Sequence, residues 1–174
     1  FAALCKMLDY PKLKSKMNNL SGKGKSPLYY AIRSDNVRMV KRLLETGIDV
    51  NLHGEKALPP FLLACYKNNP EIIELLINHK ETNISCIDPI HERSSLHFLA
   101  SKESLDSIKF IQAIIAKDPL LVYKQDKNRN TALHIATKHG CFETAQLLLK
   151  SGAPLNILNY NDMMPISYTF SKGM

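Results

Sequence analysis

The chain has 174 residues, 45% hydrophobic and 22% charged, with a formal net charge of +7. That is the balance of an ordinary soluble globular or solenoid protein. No apolar run approaches the roughly 20 residues that span a bilayer, and nothing around Phe1 reads as a signal peptide. The four cysteines (Cys5, Cys65, Cys86, Cys141) are scattered, with no Cys-x-x-Cys pair. Buried thiols in a reducing intracellular compartment, cytoplasmic or nuclear, are therefore expected.

In chain order, Phe1, Leu4, Cys5 and Leu8 recur at helical spacing. Asp9-Tyr10-Pro11-Lys12-Leu13 then ends that helix, since proline restricts its predecessor and cannot continue a helix. Gly22-Lys23-Gly24-Lys25-Ser26 looks like the end of a phosphate loop. Asn19, however, stands where that motif needs its first glycine, and residues 12–20 are Lys- and Asn-rich rather than a buried strand, so no nucleotide site is expected. Ser26-Pro27-Leu28-Tyr29-Tyr30-Ala31 leads through Val40, Leu43 and Leu44 to Gly47-Ile48-Asp49-Val50-Asn51. Pro59-Pro60-Phe61-Leu62-Leu63-Ala64 leads to Ile72, Ile73, Leu75, Leu76 and Ile77. Ser94-Ser95-Leu96-His97-Phe98-Leu99-Ala100 leads to Ile108, Ile111, Ile114 and Ile115, and Asp118-Pro119-Leu120 ends that helix. Asn130-Thr131-Ala132-Leu133-His134-Ile135-Ala136 precedes Gly140 and Leu147-Leu148-Leu149-Lys150-Ser151-Gly152-Ala153. Met164-Pro165-Ile166 opens a last block. The anchors Leu28, Phe61, Leu96, Leu133 and Ile166 are spaced by 33, 35, 37 and 33 residues.

These blocks resemble the ankyrin repeat, whose T-P-L-H-x-A helix start, glycine turn and L-L-L-x-x-G-A second helix are clearest over 130–153. The resemblance covers residues 21 to 174. It is strongest in the fourth unit, good in the first and degraded in the second and third. It implies one all-α ankyrin solenoid domain over 1–174, with repeats at 21–53, 54–88, 89–125 and 126–158. Residues 159–174 would be a partial last repeat and 1–20 the end of a truncated preceding one, so a larger parent protein with flanking domains is expected. Each unit should give a β-turn, a short helix, a tight turn and a longer antiparallel helix. In the fourth unit Leu133, Ala136 and Thr137 should face inward from the first helix, and Ala145, Leu148 and Leu149 from the second. Ala31, Ala64 and Ala136 should let helix pairs approach closely, and Cys65 falls where the family normally has Ala. Gly140 should be left-handed. The corresponding positions are Asp35, Asn68 and Glu103; of these Glu is the least tolerant, and the added residues Ser104–Ser107 should make that turn longer and irregular. His97 and His134 should brace the stack by bonding backbone in the next turn.

No nucleophile–base set or carboxylate pair stands out. His53, His79, His91 and His139 show no metal-ligand spacing. Catalysis, metal and cofactor are not expected. In the family, hairpin tips and first helices form a concave face that binds proteins. Register transfers this role to Lys23, Lys25, Arg33 and Ser34 in the first unit, and to Glu55, Lys56, Leu58, Tyr66 and Lys67 in the second. The third supplies Ile90, His91, Arg93, Ser101 and Lys102, the fourth Lys127, Asn128, Asn130, Lys138 and His139. Nine of these are Lys or Arg against one carboxylate, Glu55. The expected partner is an acidic protein surface bound by a monomeric fragment. RNA would want stacking aromatics, and this stripe offers only Tyr66, so nucleic acid is disfavoured. The alternative is a substrate-targeting or regulatory arm of a larger multidomain enzyme. Another is a secreted pathogen effector in a host cytosol, since the irregular repeats and abundant Lys, Asn and Ile resemble those of intracellular bacteria and poxviruses. Leu43, Asp49, Val50 and Asn51 also match the L-x5-[DE]-V-N pattern recognised by asparaginyl hydroxylases in ankyrin proteins, which marks Asn51 as a modification candidate. Leu148 and Asn156 match it partially, because Pro154 replaces the acid.

Overall fold

The computed structural model describes residues 18–170. Cys5, the helical spacing over residues 1–8 and the Asp9–Leu13 stop lie outside them. The chain divides into two units, one up to Asn83 and one from Ile84, and no strand is present among the described residues.

In the first unit, helix α1 (Pro27–Arg33) begins where the Ser26 hydroxyl accepts the Tyr29 N–H at 3.2 Å and Pro27 takes the first helical position. That proline lacks only a donor the helix could not use there. Asn36 caps α2 (Val37–Glu45) by accepting from Met39 N–H. Helix α3 (Pro60–Lys67) is followed by α4 (Pro70–Asn78), capped by Asn69. Asp35 and Asn68 take the left-handed conformation in the inter-helix turns, at φ 52° and 58°. Helix α1 packs on α2 and α3, and α4 on α2 and α3. Leu28, Ile32, Val40, Phe61, Leu62, Ile72, Ile73 and Leu76 form the fully shielded core, and Ala31 and Ala64 are buried beside them. Burying each large side chain contributes roughly 1.5–3 kcal/mol.

The two hairpin turns of this unit touch backbone to backbone. Gly54 N–H donates to Gly24 O at 2.9 Å. A Cβ at Gly54 would lie 2.7 Å from that oxygen and 2.8 Å from Gly24 Cα. Neither atom belongs to a flexible side chain, so the hairpins would have to part. Gly54→Ala is therefore expected to lower stability by about 2 kcal/mol, read as a drop in the urea midpoint. An unchanged midpoint would show that the turns do not hold each other.

In the second unit α5 (Ser95–Leu99) is short, and α6 (Leu105–Lys117) is long. The turn between them, residues 100–104, is longer than those over 34–36, 68–69 and 140–141, as its sequence implied. The added segment is nonetheless not all loop. Ser104 accepts Ser107 N–H at 3.1 Å and acts as an N-cap, so Leu105–Ser107 become the first turn of α6. Asp118 stops α6 and caps a 3-10 turn, Pro119–Tyr123. Helix α7 (Ala132–His139) ends at Gly140, whose φ is 76°. Helices α8 (Phe142–Lys150) and α9 (Ser167–Phe170) follow. Helix α5 packs on α6 and α7, α8 on α6 and α7, and α9 on α7.

Of the inward-facing assignments in the fourth unit, Leu133, Ala136 and Leu148 are buried, Thr137 and Ala145 are only half-buried, and Leu149 needs correction. In α8, Leu148 is buried but Leu149 is 40% exposed, and Thr144 is buried instead. Thr144 and Leu148 are one helical turn apart and share the face that meets α7 and α6, whereas Leu149 lies 100° round. Cys65 and Cys141 are buried and Cys86 is half-buried.

Candidate functional site

The hairpins that carry the predicted partner-binding residues are built on buried acceptors. Asp126 Oδ1 accepts Asn128 N–H at 2.9 Å and Asn130 N–H at 2.8 Å. Asn159 repeats this with Asn161 N–H at 2.9 Å and Met163 N–H at 3.1 Å. Asp88 accepts Ile90 N–H at 2.9 Å. Each acceptor offsets its own desolvation by satisfying turn donors that water would otherwise hold. Neighbouring turns are then joined. Lys127 N–H donates to His91 O and Tyr160 N–H to Asn128 O, while Asn159 Nδ2 donates to Asn130 Oδ1 at 2.8 Å.

His97 and His134 lock these turns to the helices. His134 Nδ1 accepts Thr131 N–H at 3.1 Å and lies 2.9 Å from the Thr131 hydroxyl, and Nε2–H donates to Met163 O at 3.1 Å. His97 does the same with Ser94 and with Asn130 O. An imidazole that accepts on one nitrogen and donates from the other must be neutral. Burial accordingly pushes both histidines below their ordinary pKa, against the opposing pull of the backbone carbonyls they face.

In the first unit Lys23, Arg33, Ser34, Glu55, Lys56 and Tyr66 are exposed, and Leu58 is half-buried. Lys25 is half-buried, its Nζ 4.8 Å from the Tyr29 ring centroid. Lys67 Nζ lies 3.0 Å from Asp35 Oδ2, so Asp35 neutralises a charge that sequence reasoning counted as free. In the second unit Ile90, His91, Lys102, Lys127, Asn128, Lys138 and His139 are exposed, and Ser101 is half-buried. Lys138 Nζ stands 5.9 Å from the Tyr168 ring, and His139 Nδ1–H donates to Ile135 O.

Two residues serve the turns more than the surface. The Asn130 amide is spent on Asp126 and Asn159. Arg93 Nε sits 3.8 Å from buried Asp126 Oδ2. Lys23, Lys25, Arg33, Lys56, Lys102, Lys127 and Lys138 form no ion pair among the described residues.

Sequence reasoning missed Tyr30, Arg129 and Tyr160, of which Tyr160 is 70% exposed. Register carried one hairpin further would have found Tyr160, because Asn159 repeats Asp126 and Tyr160 then corresponds to Lys127. Asn51 is half-buried and clamps the next loop: Nδ2 donates to Glu81 O at 2.7 Å and Oδ1 accepts Asn83 N–H at 2.8 Å. Among the described residues no group of three or more His, Cys, Asp or Glu is placed to hold a metal. No described helix is long and apolar enough to cross a membrane.

Comparison with known proteins agrees with this architecture. The ankyrin-repeat family model (three copies) matches residues 2–85 and 61–159. The chain is 30% identical over 138 residues, 75% of its length, to transient receptor potential cation channel subfamily A member 1 of Homo sapiens. It is 28% identical over 145 residues, 83% of its length, to inversin of Mus musculus. It spans only 12% and 13% of those two proteins. An ankyrin repeat protein of Fowlpox virus (strain NVSL), FPV230, is 29% identical over 82% of the chain and 72% of its own length. The fold matches a chain in the solved structure of the Bd0816 predatory endopeptidase from Bdellovibrio bacteriovorus in complex with immunity protein Bd3460. The TM-score is 0.79 at 22% identity, over 92% of this chain and 83% of that one. With buried turn acceptors, histidine braces and paired helices repeating along it, the chain belongs to the ankyrin-repeat family, whose repeats are generally protein–protein interaction modules.

Proposed function

We propose that the chain binds an acidic protein surface through the hairpins and first helices of its units. The observation that carries this reading is the set of seven Lys and Arg side chains there that form no ion pair among the described residues. Such cations keep their full field for an incoming ligand. The Debye length near 8 Å at physiological salt lets cations on adjoining hairpins of one unit act together. Complementary potential speeds encounter and penalises basic partners. A peptide array with acidic, neutral and basic members of equal apolar content tests it: the acidic members should bind best, with affinity falling as salt rises. Equal retention of all three classes would remove the proposal, and tighter binding of an oligonucleotide would replace it with nucleic-acid recognition.

A second reading, a targeting or regulatory segment of a larger protein in a reducing intracellular compartment, is supported by the small share of its relatives' length that the chain spans. Enzymatic activity would then belong to other segments. Hydroxylation of Asn51 is a separate proposal. Buried Leu43 and Val50 hold its loop beside α2, and the Leu43, Asp49, Val50 and Asn51 spacing supports the reading. Incubation with an asparaginyl hydroxylase should add one oxygen mass to the Asn51 peptide; an unmodified peptide would end it.

A further inference from the structure

Three hairpins place a residue other than glycine in the left-handed region. Glu92, Arg129 and Asp162 have φ of 57°, 60° and 54°, where the first hairpin uses Gly24 at 67°. Aspartate tolerates this conformation; a long side chain with a full Cβ is held there at a cost. Arg129 cannot relax, because its N–H donates to Asp126 O at 2.8 Å and its carbonyl accepts Gln125 Nε2 at 3.0 Å. A strained residue kept in place by its surroundings is a pointer to use.

The side chain supplies the second observation. The Arg129 guanidinium lies 5.8 Å from the Tyr160 ring centroid, and Tyr160 is itself largely exposed and tied by its N–H to Asn128 O. Arg129 has no carboxylate within ion-pair reach among the described residues, whereas Arg93 and Lys67 each face one. Exposed Lys127 stands two residues away on the same turn. A planar guanidinium resting on an aromatic face keeps its fork of donors oriented and open, the arrangement that takes a carboxylate by two parallel hydrogen bonds.

We propose that Arg129 on its Tyr160 platform is the carboxylate-recognising centre of the second unit, binding an Asp or Glu side chain of an acidic segment in a protein partner. This rests on the basic-surface reading above and names the chemistry at its centre. The strained turn aims the guanidinium outward, Tyr160 carries both the cation and the flank of the bound segment, and Lys127 adds field. Tyr and Arg are both enriched among the few residues that concentrate binding energy at interfaces.

The test uses the full chain, a fluorescein-labelled glutamate-rich peptide read by anisotropy, and thermal unfolding of each variant. Arg129→Gly relieves the backbone while removing the donor. Tm should rise by about 2 °C while affinity falls by about tenfold. Glu92→Gly relieves the same strain in the preceding hairpin but removes a carboxylate, so Tm should rise and affinity stay level or increase. Tyr160→Ala should weaken binding severalfold, and Arg129→Lys should not restore it, since an ammonium lacks the fork. Wild-type affinity in Arg129→Gly, alongside loss in a Lys-to-Glu variant of the other basic residues, would overturn the assignment to Arg129 and leave the basic-surface reading standing. Undiminished affinity in both would overturn the two together. A lower Tm in Arg129→Gly, or full rescue by Lys, would overturn the strained-fork account.

Discussion

Replacing His134 by Ala is expected to lower the stability of the second unit by about 3 kcal/mol. The change leaves the buried Thr131 N–H without its acceptor and takes one of two partners from the Thr131 hydroxyl, which keeps the residue-134 N–H, and from Met163 O, which keeps the Asn159 N–H. Each buried group left unsatisfied costs about 1–3 kcal/mol, and the vacated ring volume adds a cavity term. For a chain of this size Tm should drop by about 6–12 °C. His139→Ala is the control, since His139 is exposed and bonds only within its own helix; it should change stability by less than about 0.5 kcal/mol. Equal effects of the two replacements would show that His134 does not brace the turns. The same histidines set an acid dependence. Their folded pKa values are depressed by burial, so as pH falls through the unfolded value of about 6.5 the unfolded chain takes up protons that the folded chain refuses. Their contribution is complete above that pH and declines below it, towards the depressed folded values. Urea midpoints measured from pH 7.5 to pH 5 should fall for the native chain. They should fall less steeply when His97 and His134 are both replaced by Gln, which does not titrate. Parallel curves would mean that other groups carry the acid sensitivity.

Reversing Lys56, Lys67, Lys102 and Lys138 to Glu together should abolish capture of acidic peptides, a loss of about a hundredfold. Each reversal replaces an attraction by a repulsion at surface dielectric, about 1 kcal/mol or less per site. The far-ultraviolet circular dichroism should be unchanged, because none of the four side chains is buried. Lys67→Glu adds a small penalty of its own by facing Asp35, so the triple variant without it separates binding from stability. Native affinity in the triple and quadruple variants would sink the basic-surface proposal whatever the behaviour of Arg129.

The paired helices were legible because their signals are local. Ser26, Asn36, Asn69, Ser104 and Thr131 cap helices through bonds spanning three residues, and Leu28, Phe61, Leu96 and Leu133 repeat at near-constant spacing as buried anchors. The histidine braces were legible too, because the family motif names their role. Position on a helix face was less secure. A run such as Leu147-Leu148-Leu149 gives no sequence ground for choosing the buried member, and that choice was made by how α8 meets α6 and α7.

By itself, then, the sequence determined the repeat, the helix starts and stops, the glycine and asparagine turns and the excess of positive charge, all consequences of bonds within a few residues. Only the tertiary structure decided which charges remain available. Asp35 and Lys67 are 32 residues apart, as Arg93 and Asp126 are 33, and their pairing depends on one hairpin unit lying beside the next. The same stacking spent the Asn130 amide inside the turn and brought Arg129 over Tyr160, since a side chain's partner one repeat away is set by packing between units and not by its own neighbours in the chain.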